Sequence, residues 1–324
     1  MKAAVVFKKG ELPRYTENFP EPRVKNENEL LISVKASAIK HLDRMRASGK
    51  HYSAQSAGDD PKVVGGDGVG VLPDGTRVYA LGLSGMIAEK AIIDDKRMVK
   101  LPSGIDDVTA AALPNAVMGS AMALRFRTGM QGGETILING ATGVTGKVAV
   151  QIAKHYRAKK IIVTGRNEAA LQSLLTLGAD EIISLKQDDN TFVSQVKNIH
   201  DHTPIDIVID YLWGNSATLI LSAIKGNGNF THKTRYVSIG AMTGDKIELS
   251  SAILRSTDIQ LSGSGLGSWT KAEVQKLVAE ILPEMFQLAA EKKLNIETTT
   301  IHLKDIESVW SIDDAGKRLV VKIG

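Results

Sequence analysis

The 324-residue chain contains no cysteine, which excludes disulfides, thiolate catalysis and every zinc site built with that residue. Histidine is scarce too. Of seven, the nearest pair, His200 and His202, stands in a polar Asp/Thr/Pro stretch, so no metal site is expected. No apolar run approaches the roughly 18 residues of a membrane span. Forty basic residues against 36 acidic ones leave a net charge of +4, without the clustered Lys/Arg stripe that nucleic-acid binding needs. The opening Met1 to Phe7 is apolar but is soon broken by Lys8 and Lys9. It is too short for a secretory signal, so a soluble, cytoplasmic protein is expected.

What is present points to two domains, since single cores stop growing near ~250 residues. The first ~115 residues read as short apolar or alternating runs punctuated by Gly, Pro and Asp, with Pro73-Asp74-Gly75-Thr76 as a hairpin turn. From about Asn115 strand and helix alternate, the pattern of a parallel sheet covered by helices. Six strands are expected, over 135–139, 160–164, 181–184, 205–210, 236–239 and 258–261. They form a doubly wound nucleotide fold. After Leu266 comes a helix with Val274, Leu277, Val278, Ile281 and Leu282 on one face, which Pro283 should kink. A last strand, 319–323, should return to the N-terminal region. The domains are therefore 1–118 with 268–324, and 119–267.

The stretch richest in chemistry runs from Ile138 to Gln151. A buried strand enters a glycine-rich turn and then a helix, so unpaired N–H groups and the helix dipole face the turn. Gly140, Gly143 and Gly146 permit the tight turn, close approach to a pyrophosphate and close helix–strand packing. Ala141 stands where the first fingerprint glycine would be. Backbone contacts are expected from Gly140, Ala141, Thr142, Gly143, Val144, Thr145 and Gly146. The second strand ends in Thr164-Gly165-Arg166-Asn167, without the acid that would hold the ribose hydroxyls of NADH. Arg166 instead offers a phosphate fork, so NADPH is the expected cofactor.

Taken with Ala36 to Asp43, Gly65 to Gly70 and Leu177-Gly178-Ala179-Asp180, these residues resemble the medium-chain dehydrogenase/reductase superfamily, in its zinc-independent quinone oxidoreductase branch. The resemblance implies an α/β protein: a GroES-like β-rich catalytic domain plus a Rossmann doubly wound parallel-sheet nucleotide-binding domain. It implies an NADPH-dependent, metal-independent enzyme that reduces a quinone or an α,β-unsaturated carbonyl in a cleft between domains. Zinc-dependent relatives carry ligands at the places of Lys40 and Gly66. Neither residue here suits zinc.

By the same resemblance Tyr52 is the candidate donor beside the substrate, Asp43 orients the loop or caps a helix, and Lys40 contacts the nicotinamide ribose or the substrate oxygen. Asn167 and Lys186 join Gly165 and Arg166 at the adenosine phosphate. Ser238, Gly240, Ala241, Ser264 and Gly265 flank the nicotinamide. Gly119, Ala170 and Leu185 depart from the family pattern. The sixth strand, as an open edge, implies a homodimer. A non-catalytic NADPH-binding regulatory protein and an enoyl-thioester reductase are the alternatives.

Overall fold

The computed structural model describes residues 1–49, 60–228, 231–312 and 316–324. Two compact units divide the chain, Met1–Asn115 with Lys276–Gly324, and Ala116–Gln275.

The first unit is β-rich, with a small sheet of β1 (Ala3–Val6), β2 (Arg14–Thr16) and β4 (Lys62–Val63) in the order β2-β1-β4. Its main sheet has strands β3 (Glu29–Ala38), β5 (Asp67–Val71), β6 (Arg77–Gly82) and β7 (Lys90–Lys100) in antiparallel array. The expected hairpin joins β5 to β6, where the Leu72 N–H donates to Thr76 O (2.9 Å) and Gly75 takes a φ of +88°. A short helix, α1 (His41–Ala47), follows β3. The C-terminal segment adds two strands where one is expected. β15 (Arg318–Lys322) runs antiparallel to β3 and β14 (Thr298–His302) lies parallel outside it. Leu303, Trp310 and Val321 share one apolar core with Val34, Ile87 and Ile93, so this segment is part of the β-rich unit. The β14 run Thr298-Thr299-Thr300 lacks an apolar alternation, which is why it escapes a hydrophobicity reading.

The second unit holds a six-stranded parallel sheet: β8 (Thr135–Asn139), β9 (Lys160–Gly165), β10 (Glu181–Ser184), β11 (Ile207–Asp210), β12 (Thr234–Ser238) and β13 (Ile259–Gly263), in the order β10-β9-β8-β11-β12-β13. These are the six strands read from sequence. Every residue of β8 is buried, as a strand covered on both faces requires, and each of Ile136, Leu137 and Ile138 stabilises the unit by roughly 1.5–3 kcal/mol. Helix α3 (Val144–His155) buries Val148 and Ile152. Helix α4 (Glu168–Leu177) begins where the Asn167 side chain accepts from the Ala170 N–H and ends at left-handed Gly178. Strand order reverses between β8 and β11, which makes the carboxyl edge of those two strands the switch point of the sheet.

The helical run around Pro283 is interrupted as its sequence suggests. Residues Lys271–Lys276 form an α-helix, Leu277–Ile281 a π-turn, and Leu282–Ala290 resumes as α-helix with Pro283 in its first turn. A proline lacks the N–H that would bond one turn back, and the widened turn absorbs the mismatch. Among the described residues, no helix is long and apolar enough to cross a membrane.

Candidate cofactor site

The turn between β8 and α3 is shaped by contacts that only glycine allows. Gly140 has a φ of +85°. A Cβ on Gly146 would fall 2.4 Å from Ala141 Cα, so α3 starts in direct contact with the turn. Around Gly143 the opposite holds: nothing lies within 4 Å of where its Cβ would be, and no side chain caps the helix that begins after it. The first N–H groups of α3 are thus left without a capping side chain, at the positive end of the helix dipole. A diphosphate fits that cradle in charge and in hydrogen-bonding capacity. Thr142, half-buried, packs against Gly165 at the end of β9.

Beneath the turn lies a polar knot that hydrophobic patterning does not reveal. The Thr164 hydroxyl donates to Asn139 Oδ1 (2.6 Å) and accepts from the Gly140 N–H (3.1 Å). Asn139 Nδ2 donates to Asp210 Oδ1 (2.8 Å) and to Ser216 Oγ (2.9 Å). Asp210 also accepts from the N–H groups of Leu212 (2.8 Å) and Trp213 (3.0 Å) and from the Tyr236 hydroxyl (2.7 Å). Asn139, Thr164 and Asp210 are completely buried. Burial, reinforced by the Asp210 carboxylate, holds the Tyr236 hydroxyl well above its ordinary pKa, so it stays a donor. One signal could have found these residues: each of Asn139, Thr164 and Asp210 is a polar residue at the carboxyl end of an otherwise apolar strand.

At the carboxyl ends of β9 and β10, Arg166 and Lys186 are both exposed. Glu168, the nearest acid after β9, accepts a hydrogen bond from the Ser184 hydroxyl, and Asn167 caps α4. The loops after β12 and β13 come together, because the Ser264 N–H donates to Ser238 O (2.9 Å). A Cβ on Gly240 would lie 2.8 Å from Tyr211 O, so that glycine permits a close backbone approach. Ser264 is buried and its hydroxyl accepts from Trp269 Nε1 (3.1 Å). Ala241 and Gly265 are exposed. Arg127, missed in the sequence, fastens this second loop: its guanidinium donates to Gly263 O (3.1 Å), Ser268 O (2.7 Å) and both Glu273 carboxylate oxygens (2.7 and 3.2 Å). Those hydrogen bonds, working against a smaller desolvation effect, lower the Glu273 pKa to about 2.

In the β-rich unit, the Lys40 ammonium is buried and bonded to the carboxylates of Asp67 and Asp43, the latter at 3.2 Å. Burial disfavours its charge, but the two carboxylates prevail and raise its pKa. A lysine engaged in this way is a buried ion-pair partner, where an exposed ligand contact is the expectation from resemblance. Asp43 Oδ2 accepts from the Lys40 N–H (3.0 Å), capping α1, and Oδ1 accepts from the Gly66 N–H (3.0 Å). Asp67 accepts further from the buried Tyr79 hydroxyl (2.6 Å). Tyr52 lies outside the described residues. Among the described residues, no group of three or more His, Cys, Asp or Glu side chains could hold a metal ion.

With this geometry in view, the model of the family described as zinc-binding dehydrogenase matches residues 144–282. The protein named "Probable NADPH-dependent quinone reductase" of Emericella nidulans is 29% identical, with 95% of this chain and 96% of that protein covered. By these matches the chain is similar to the medium-chain dehydrogenases/reductases of the quinone oxidoreductase branch. The chain is also 33% identical to the chloroplastic NADPH-dependent alkenal/one oxidoreductase of Arabidopsis thaliana, over 53% of its own length and 48% of the relative's. Its backbone matches the solved quinone oxidoreductase of Thermus thermophilus with a TM-score of 0.80 at 23% identity, covering 99% and 100% of the two chains. The chain thus shares the fold of that structure, a GroES-like β-rich part plus a Rossmann part.

Proposed function

We propose that this chain transfers hydride from NADPH to a quinone or an α,β-unsaturated carbonyl, without a metal. The observation that carries the reading is the uncapped amino end of α3 at open Gly143, with exposed Arg166 directly after the end of β9. The names of the relatives from Emericella nidulans and Arabidopsis thaliana support the same cofactor and both acceptor classes. When bound, NADPH supplies the hydride.

The chain's own task is then to bind and orient. Backbone N–H groups from Gly140 to Gly146 hold the diphosphate, and Arg166 with Lys186 takes the adenosine phosphate. Ser238, Gly240, Ala241, Ser264 and Gly265 position the nicotinamide. Residues 1–118 with 268–324 serve as the catalytic domain, and 119–267 as the cofactor domain. There Tyr52 offers a hydroxyl to the oxygen that gains charge, and Asp43 and Lys40 keep the loop after β3 in place. Strand β13 is an edge strand, and pairing with its copy in a second chain makes the working form a homodimer. Its setting is the cytoplasm.

The test is direct. NADPH oxidation should be steady with 1,2-naphthoquinone or a simple enone, unaffected by chelators, and faster than with NADH. Failure of calorimetry to detect NADPH binding, or activity that depends on stoichiometric zinc, overturns the reading.

A further inference from the structure

The turn that follows β11 carries backbone strain. Trp213 has φ +58° and ψ −152°, a region that essentially only glycine occupies freely. A glycine does follow, at Gly214, yet position 213 holds the bulkiest side chain of all. The strained peptide is held from every side. Asp210 accepts from both the Leu212 and Trp213 N–H groups, Trp213 O accepts from the hydroxyls of Ser216 (3.2 Å) and Thr243 (3.1 Å), and Leu212 O accepts from the Thr243 N–H (2.9 Å). The indole packs edge-on against Tyr236, with ring centroids 6.2 Å apart, and Tyr236 in turn donates to Asp210.

What this conformation accomplishes is visible at Leu212. Its side chain is pressed onto the first glycine of the cofactor turn, so closely that a Cβ on Gly140 would fall 2.7 Å from Leu212 Cγ. Asp210 thereby reaches Gly140 along two independent paths. One is polar, through Asn139 and Thr164 to the Gly140 N–H. The other is apolar, through the turn it anchors and the Leu212 side chain.

We infer that the turn at residues 210–214 is a strained brace for the diphosphate cradle, in which Asp210 is the anchor and Leu212 the positioning residue that fixes Gly140 for NADPH. Strain persists in a fold only where the surroundings over-determine it, and here those surroundings converge on the glycine turn. Pre-organising the turn lowers the ordering cost of binding, so the brace acts on affinity.

The inference rests on the glycine turn being the NADPH site, and the experiment separates the two claims. NADPH is titrated calorimetrically into wild type, Leu212→Ala, Asp210→Asn, Gly140→Ala and the double variant of Leu212 and Gly140, with circular dichroism as the check on folding. Leu212→Ala is expected to raise the Kd roughly tenfold, and to raise KM for NADPH far more than it lowers kcat. Asp210→Asn is expected to weaken binding in the same direction. The Gly140→Ala penalty should be smaller by about fivefold or more in the Leu212→Ala background, since the clash with Leu212 is then gone. A folded Leu212→Ala protein with wild-type Kd overturns the brace, as does strict multiplicativity of the two substitutions. Should Gly140→Ala not fold, the Kd values of Leu212→Ala and Asp210→Asn decide. Wild type that binds no NADPH overturns the proposed function itself.

Discussion

Both units bury a polar cluster, but they build it in different ways. In the parallel-sheet unit, Asp210 is surrounded by neutral donors: one amide side chain, one phenol and two backbone N–H groups. In the β-rich unit, Lys40 stands between two carboxylates, and all three groups are nearly inaccessible to solvent. A buried carboxylate served by four neutral donors shares its charge among several hydrogen bonds. A buried ion pair is an all-or-none arrangement, because removing one partner leaves a bare charge in a low dielectric.

The largest effect expected from this difference is on stability. Lys40→Met should destabilise the protein by about 3–5 kcal/mol in urea unfolding, and adding Asp67→Asn should restore part of the loss. If Lys40→Met unfolds at the wild-type midpoint, the ionic cluster is energetically idle. Next comes the contact at the start of α3. Gly146→Val places a branched side chain where even a Cβ meets Ala141 backbone at 2.4 Å, and NADPH binding should weaken roughly tenfold or more, as calorimetry would show. The polar rim of the same unit is softer. Arg166→Ala should raise KM for NADPH roughly tenfold, an effect of about 1.4 kcal/mol, and leave KM for NADH alone.

The smallest expected effect is a pH dependence. The Glu273 carboxyl is depressed to about 2 from an ordinary 4.5, so its pairing with Arg127 contributes stability that is fully present above pH 4.5 and is lost as pH falls toward 2. Arg127→Ala should therefore flatten the acid side of the stability profile between those values, a change of about 1 kcal/mol or less for a pair near the surface. An unaltered profile would show that the loop after β13 is held by its own capping bonds, chiefly Thr270 N–H to Glu273 (2.7 Å).

How much of this was legible beforehand differs between the units for a physical reason. The glycine turn is written in consecutive residues, so its apolar strand, glycines and helix can be read in a line. The parallel strands themselves are apolar runs, equally plain. The ion pair of Lys40 is not legible in the sequence, because its partner Asp67 stands 27 positions away and meets it only through the pairing of β3 with β5. β14 was invisible for lack of apolar residues. Arg127 looked like any surface arginine until the loop at 263–273 folded across it.

Order along the chain alone determined the alternation of strand and helix, the glycine turn and the free helix start that suits a diphosphate. These depend on neighbours linked by a few bonds: the conformational freedom of glycine, the period of apolar side chains, the unpaired N–H groups at a helix end. Only tertiary structure decided that Asp43 and Asp67 neutralise Lys40, that Asp210 ties four strands together, and that Trp213 holds a conformation its side chain disfavours. Pairing between distant groups is set by strand register and burial, and strain can be kept only after the surrounding packing exists to hold it.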